Sequence, residues 1–347
     1  MIVIDTNQLS WLNVPSGAAF AILRQVAQQH QHTIAIPEMV LAETLAHYQH
    51  DVEQYIAAIE RGRRGLLSRG VDIKPKLPDV NRMVELRRTE FHDYVKVLQP
   101  TEGSAWEALQ REAHRRRPAA TDWDPKKSGS GARDALIWLT VLHTAQQPGS
   151  EPILLVTADA DFGRDQRLHP ELREELLDAG LSVDHVRLCP SVTEALTLLA
   201  DKADYPANLE LVLKSGQTTH TVNAALELNA LPQLHWLYRD QLLGPDNMTM
   251  NIFLADDLEP ARDGRTMAYQ IGGETWVSAE RLWRGTYWLT LNQADSRYGQ
   301  PAFDMPFEVN VTVLIAPESA VERVQVIDCG MPRFTRDWLI PSNRRMG

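Results

Sequence analysis

Two short apolar runs, each followed by acidic turn residues, limit this chain more than any other feature. They are Met1–Asp5 (MIVID) and Pro152–Val156 (PILLV), the second leading into Thr157–Phe162 (TADADF). Both are too short for helices and rich in branched aliphatic side chains, so both read as buried strands. A third run, Thr33–Ile36 (TIAI), is closed by Pro37, which suits the first position of a helix. Helical spacing appears between the runs, first at Phe20, Leu23 and Val26, then at Val40, Leu41, Leu45 and Tyr48, with the second helix extending past Ile56. Further on, Ala132–Thr144 reads as a helix, His169–Ala179 as helical, Ser182–Arg187 as a strand and Val192–Leu199 as a helix. Strands alternating with helices predict a parallel α/β sheet. Ligands of such sheets bind at the carboxyl ends of the strands. Asp5 and Asp159 fall at such ends.

The middle of the chain has a different texture. Helical segments rich in Arg and Glu, around 80–97 and 103–116, are separated by Lys74-Pro75-Lys76 and followed by a loop-like stretch from Pro118 to Gly131. The net charge is -11, yet residues 60–133 carry 17 basic against 11 acidic side chains. A basic arm beside an acidic pocket is a workable layout for an enzyme that handles polyanions. After Asp204-Tyr205-Pro206 the pattern becomes strand-like, at Leu209–Leu213, Met250–Leu254, Thr286–Leu291 and Phe307–Ile315. The expected organisation is therefore an α/β domain over 1–204 with a basic helical insertion at about 61–130. A mostly β domain over 206–347, a sandwich or small barrel, follows it.

Composition excludes several classes. Hydrophobic residues at 44% and charged residues at 23% describe a globular protein with a real core. The two cysteines, Cys189 and Cys329, lack metal-type spacing, which argues against a disulfide framework and a thiolate zinc site and fits the cytoplasm. The chain opens on a strand rather than a leader-type segment, and no apolar run is long enough to span a bilayer.

Four acids stand where an α/β fold presents ligands. Asp5 ends the first strand, Glu43 lies two turns into the helix after Pro37, Asp134 opens the helix after the Gly-rich loop, and Asp159 follows PILLV. Hard divalent ions need several oxygen ligands converging on one pocket. Two such ions can activate a water and stabilise the leaving oxygen of a phosphodiester. Each acid also has an ordinary explanation: a turn cap for Asp5, a solvated helix position for Glu43, a favourable helix start for Asp134 and turn chemistry for Asp159 and Asp161. The conjunction of all four carries the reading.

The segments IDTN at Ile4–Asn7, PEMVLAET at Pro37–Thr44, GARDALIW at Gly131–Trp138 and TADADF at Thr157–Phe162 resemble, in order, the four motifs of PIN-domain nucleases. The resemblance covers about residues 1–200. It implies a PIN-like parallel sheet flanked by helices and cleavage of RNA, less often DNA, with Mg²⁺ or Mn²⁺. Asp5, Glu43, Asp134 and Asp159 take the acidic positions, with Asp161 a further metal-binding candidate behind them. Thr6, Asn7 and Thr157 take the supporting polar ones. The insertion between the second and third motifs is much longer than in the short family members, and residues 206–347 have no counterpart there.

Contact with substrate is expected from Arg111, Arg115, Arg116, Arg117, Lys126, Lys127 and Arg133, with Trp123 placed to stack a base. The leading expectation is an endoribonuclease in a toxin-like or defence role, with the C-terminal domain recognising a protein partner or substrate. A DNA nuclease of the flap-processing kind and a non-catalytic interaction protein on the same fold are the alternatives.

Overall fold

The computed structural model describes residues 1–9, 17–68, 77, 79–119, 131–229, 248–254, 258–293, 302–316, 323–330 and 332–334. The chain divides into two compact units. One comprises Met1–Ser16, Leu23–Ile59 and Pro78–Ala200, and the other Gly17–Ile22, Glu60–Leu77 and Asp201–Gly347.

The first unit is built on a five-stranded sheet: β1 (Ile2–Ile4), β2 (Ile34–Pro37), β3 (Lys96–Leu98), β4 (Ile153–Val156) and β7 (Val186–Cys189), in the order β3-β2-β1-β4-β7. All four pairings are parallel. Every residue of β1 is buried, as expected for the central strand of a parallel sheet covered on both faces. The helices on this side of the chain are α1 (Ala18–Gln29), α2 (Glu38–Leu67), α3 (Val80–Tyr94), α4 (Ser104–His114), α5 (Ala132–Ala145), α6 (Pro170–Asp178) and α7 (Val192–Leu199). A two-strand hairpin, β5 (Gly163–Arg164) with β6 (Arg167–Leu168), stands apart from the main sheet.

Three differences from the sequence reading have local causes. Lys96–Leu98, read as helical, is a strand at the sheet edge, paired through Ile36↔Val97. The insertion therefore contributes to the core sheet as well as to the helical arm. The strand expected over Ser182–Arg187 begins only at Val186, because Ser182 folds a turn that takes the His185 amide on its carbonyl and the Asp184 amide on its hydroxyl. Pro37 ends β2 instead of opening α2, which starts at Glu38.

α4 packs on α5 through Ala108, Ala135, Leu136 and Leu139. Glu175 on α6 joins these helices from beneath. It accepts the indole N–H of fully buried Trp138 at 2.7 Å and pairs with Arg111 at 3.0 Å and Arg116 at 3.5 Å.

The second unit is organised around one antiparallel sheet. Its long strands are β10 (Glu259–Ile271), β11 (Glu274–Gln293) and β12 (Ala302–Ala316). Shorter β8 (Asp201–Lys202), β9 (Met248–Leu254), β13 (Arg323–Cys329) and β14 (Arg333–Phe334) pair along their edges. β11 pairs along one side with both β10 and β9, and along the other with β12. Alternation sorts its side chains: Val277, Ala279, Trp283 and Tyr287 of β11 join Met305, Phe307, Val309, Val311, Val313 and Ile315 of β12 in one core. Gly285 keeps that core closed, since a Cβ there would sit 3.0 Å from Phe307, whose ring stacks on Tyr287 at 4.4 Å.

Helices α8 (Leu209–Leu213) and α9 (Gly216–Asn229) supply Leu209, Val212, Leu213, Val222 and Leu226 to the same core. Among the described residues the strands thus form a single open sheet backed by helices, where a sandwich or barrel was expected. Leu209–Leu213, read as a strand, is helical because Leu209, Val212 and Leu213 face the core at helical spacing while Leu211 is exposed. Both cysteines are free. No described helix is long and apolar enough to cross a membrane.

Candidate active site

β1 and β4 lie side by side and end together, so their following residues meet at the carboxyl edge of the sheet. Asp5 is 4% exposed there and caps the 3-10 turn Thr6–Gln8. Its Oδ1 accepts the Thr6 amide at 2.7 Å; its Oδ2 accepts the Thr157 hydroxyl at 2.6 Å and the Asn7 side-chain amide at 2.9 Å. Asn7 also takes the Ala158 amide on its Oδ1 at 3.1 Å, tying the turn after β1 to the end of β4. Asp159 donates its amide to Thr157 Oγ1 at 3.0 Å and accepts the Asp161 amide at 2.8 Å. From α2, Glu43 accepts the Thr6 hydroxyl at 2.9 Å and pairs with Arg133.

The electrostatics show how near these groups stand to one another. Burial raises the Asp5 carboxyl above its ordinary range against the pull of Thr157 and Thr6, and the charges of Asp159 and Glu43 raise it further. Asp134, at the start of α5, is pushed up to about 7, first by burial and then by Asp159, Asp5, Asp161 and Glu43. Its favourable position in the first turn of a helix does not offset that repulsion.

This has a measurable consequence. An acid whose pKa is raised by folding binds more protons folded than unfolded, so stability falls as pH rises. For Asp134 the window runs from about 4 to about 7, and the integrated loss in metal-free protein is roughly 2–4 kcal/mol at one pKa unit per 1.4 kcal/mol. Urea midpoints between pH 5 and 8 should therefore fall more steeply in the metal-free native protein than in Asp134→Asn. Parallel profiles would remove Asp134 from the cluster.

The acids suit a hard divalent ion in kind: they are oxygen donors, crowded enough to hold one of their number half-protonated at neutral pH. Among the described residues, however, no three acidic, histidine or cysteine side chains close around one point at ligand distance. Glu43 is turned toward Arg133 and Thr6, and Asp161 toward Arg117. Occupation by an ion requires these side chains to draw in.

The expected substrate contacts separate into distinct groups. Arg133 is 54% exposed, and it and Arg117 stand at the rim through their pairs with Glu43 and Asp161. Arg116 is exposed and pairs with Glu175, while half-buried Arg115 forms the left-handed cap of α4 at φ 53°. Arg111, expected to reach a phosphate, is instead 3% exposed and bound to Glu107, Glu175 and the Arg117 carbonyl. It anchors the arm because helix packing turns it inward. Trp123, Lys126 and Lys127 lie outside the described residues. The role of Glu175 was missed from sequence, since nothing local marks it among the acids of α6.

No curated protein and no solved structure matches this chain. A family model does, that of the PIN domain, over residues 2–162, which include Asp5, Glu43, Asp134, Asp159 and Asp161. Over that stretch the chain is similar to the PIN-domain family, as its four motifs led one to expect.

Proposed function

We propose that this protein is a metal-dependent endoribonuclease using Mg²⁺ or Mn²⁺. A PIN domain points to a nuclease. The observation that supports the metal-dependent reading is the crowding of acids at Asp134, whose carboxyl is raised first by burial and then by the charges of Asp159, Asp5, Asp161 and Glu43. Such crowding is unfavourable in a merely structural cluster and is relieved by a divalent cation. Asp5, Asp134 and Asp159 would hold the metal, Glu43 would hold a second ion or orient the attacking water, and Asp161 would support them from behind. When bound, the ions supply water activation and stabilisation of the leaving oxygen.

The remaining chemistry belongs to the chain. Thr157 and Asn7 fix Asp5 Oδ2, and the Thr6 hydroxyl aims Glu43. Arg133 and Arg117 hold cationic charge at the rim, where a substrate phosphate can exchange with their present carboxylate partners. The resemblance favours RNA over DNA as substrate. An intracellular toxin-like or defence role, with the C-terminal unit recognising a protein partner or the substrate, completes the reading.

The test is incubation of the protein with total RNA and with single-stranded DNA, in Mn²⁺ and in EDTA. Ion-dependent fragmentation of RNA is expected. Cleavage that persists in EDTA, or no cleavage of either substrate, overturns the proposal, and cleavage of DNA alone moves it to a DNA nuclease.

A further inference from the structure

Beyond the acids, the first unit contains a second polar feature. A groove of about 690 Å³ is lined by the β5–β6 hairpin, α6 and β7, and Arg167, Arg173 and Arg187 enter it from three different elements. All three are exposed, and among the described residues none of them has a carboxylate within ion-pair distance. The carboxylates of the groove are Asp165 and Asp184, both exposed and neither in an ion pair among the described residues. The sequence makes this concentration unusual. Residues 134–200 hold eleven acids and only four basic side chains, Arg164, Arg167, Arg173 and Arg187. Three of the four line this groove, and the fourth sits in the hairpin that forms its wall.

The hairpin is a specified platform. Gly163 allows its strands to close, since a Cβ there would lie 2.0 Å from the Arg167 carbonyl oxygen. Asp165 and Gln166 both take left-handed conformations at φ 50° and 60°, the pattern of a tight two-residue hairpin turn. Gln166 is further tied to Glu194 at 3.4 Å. This geometry sets Arg164 directly opposite Arg167, a like-charge pairing that is unfavourable unless an anion lies against it. The hairpin also begins two residues after Asp161, so the groove adjoins the acids along the chain.

We propose that this groove binds backbone phosphates of the RNA substrate, with Arg167, Arg173 and Arg187 as the contacts. The inference rests on the nuclease reading and adds a subsite to it. Planar guanidinium forks match phosphate oxygens in pairs. A strand approaching a domain segment rich in carboxylates needs such a cationic track to be held beside them.

The test is binding of a fluorescent single-stranded RNA to the full chain in EDTA, where ion-dependent cleavage is suppressed, across a salt series. Each phosphate contact contributes about 0.7 to the slope of log K against log salt, so Arg167→Ala/Arg173→Ala/Arg187→Ala should lower that slope by about 2. Over the decade from 1 M to 0.1 M salt, a slope difference of about 2 amounts to roughly 100-fold in affinity. The triple Arg→Lys variant should keep most of the slope, which separates lost charge from lost fold. If the native protein binds and the alanine variant matches it in slope and affinity, the groove is not a subsite, while the nuclease reading stands. If the native protein binds no RNA at low salt, the groove proposal falls, and the nuclease reading is decided by the cleavage test alone.

Discussion

Asp5→Asn is expected to lower kcat/KM for ion-dependent RNA cleavage by more than about 100-fold, a bound set by the 10–100-fold typical of groups that merely support a metal ligand. The substitution keeps size and nearly keeps shape, so its effect is chemical. Asp5 receives three donors: the Thr6 amide on one oxygen, and the Thr157 hydroxyl and Asn7 amide on the other. An asparagine must turn its own NH₂ toward one of these positions. Facing Thr6 it meets an N–H that cannot reverse; facing Asn7 it meets another NH₂. The variant loses the charge that holds an ion and also disturbs the contacts that orient it. Thr157→Val removes only a supporting hydroxyl and belongs in the 10–100-fold range. The rank order is therefore native, Thr157→Val, Asp5→Asn, read from initial rates at fixed Mn²⁺. A fully active Asp5→Asn, or a Thr157→Val more damaged than Asp5→Asn, would contradict the assignment.

Arg111→Ala is expected to be the more destructive change for the fold, at roughly 3–5 kcal/mol, the cost of removing one partner from a buried ion pair. Arg111 is 3% exposed, and Glu175 is 17% exposed. Without the guanidinium, Glu175 keeps the Trp138 indole and a 3.5 Å pair with a largely exposed Arg116, too little to solvate a carboxylate set among three helices. Glu107 is 48% exposed and loses little. Replacing both partners, as Arg111→Met with Glu175→Gln, should recover much of the loss, since an apolar side chain then fills the space without an orphaned charge. Urea denaturation of the two variants checks this. A single-variant loss below about 1 kcal/mol would show that water reaches the site. Activity should fall as well, because Arg111 also holds the Arg117 carbonyl and so helps aim Arg117 at Asp161.

How legible the molecule was depended on whether the information was local. β1 and β4 are unbroken apolar runs ending in acids, and a strand buried on both faces leaves no other reading. Three of the four acids could be chosen because each stands at or beside the end or start of an element, and Glu43, two turns into its helix, by its conjunction with them. β3 offered no comparable signal: Lys96-Val97-Leu98 is three residues between helices rich in arginine and glutamate, and its strand conformation comes from the vacant edge of β2. LELVL at Leu209–Leu213 satisfies strand alternation and helical spacing equally over five residues, so the packing of its neighbours decided it. Arg111 read as surface because charge is normally solvated; its partner Glu175, sixty-four positions along the chain, is visible only after folding. The arginines of the β5–β6 groove were countable in sequence as the only cations of an acidic segment. Their convergence depended on a hairpin too short to recognise.

The edge position of β3 bears on how this protein can be trimmed. Its basic arm invites excision, as a long segment between two motifs that shorter family members join directly. Deleting residues 61–130 would take Lys96–Leu98 with it and leave the hydrogen-bonding groups of Ala35–Pro37 without their neighbour. An uncovered edge of that kind recruits strands from other molecules. A shortened enzyme would then fail by self-association, whatever its acids could still do. A serviceable minimal version has to keep this strand and shorten the helices on either side of it.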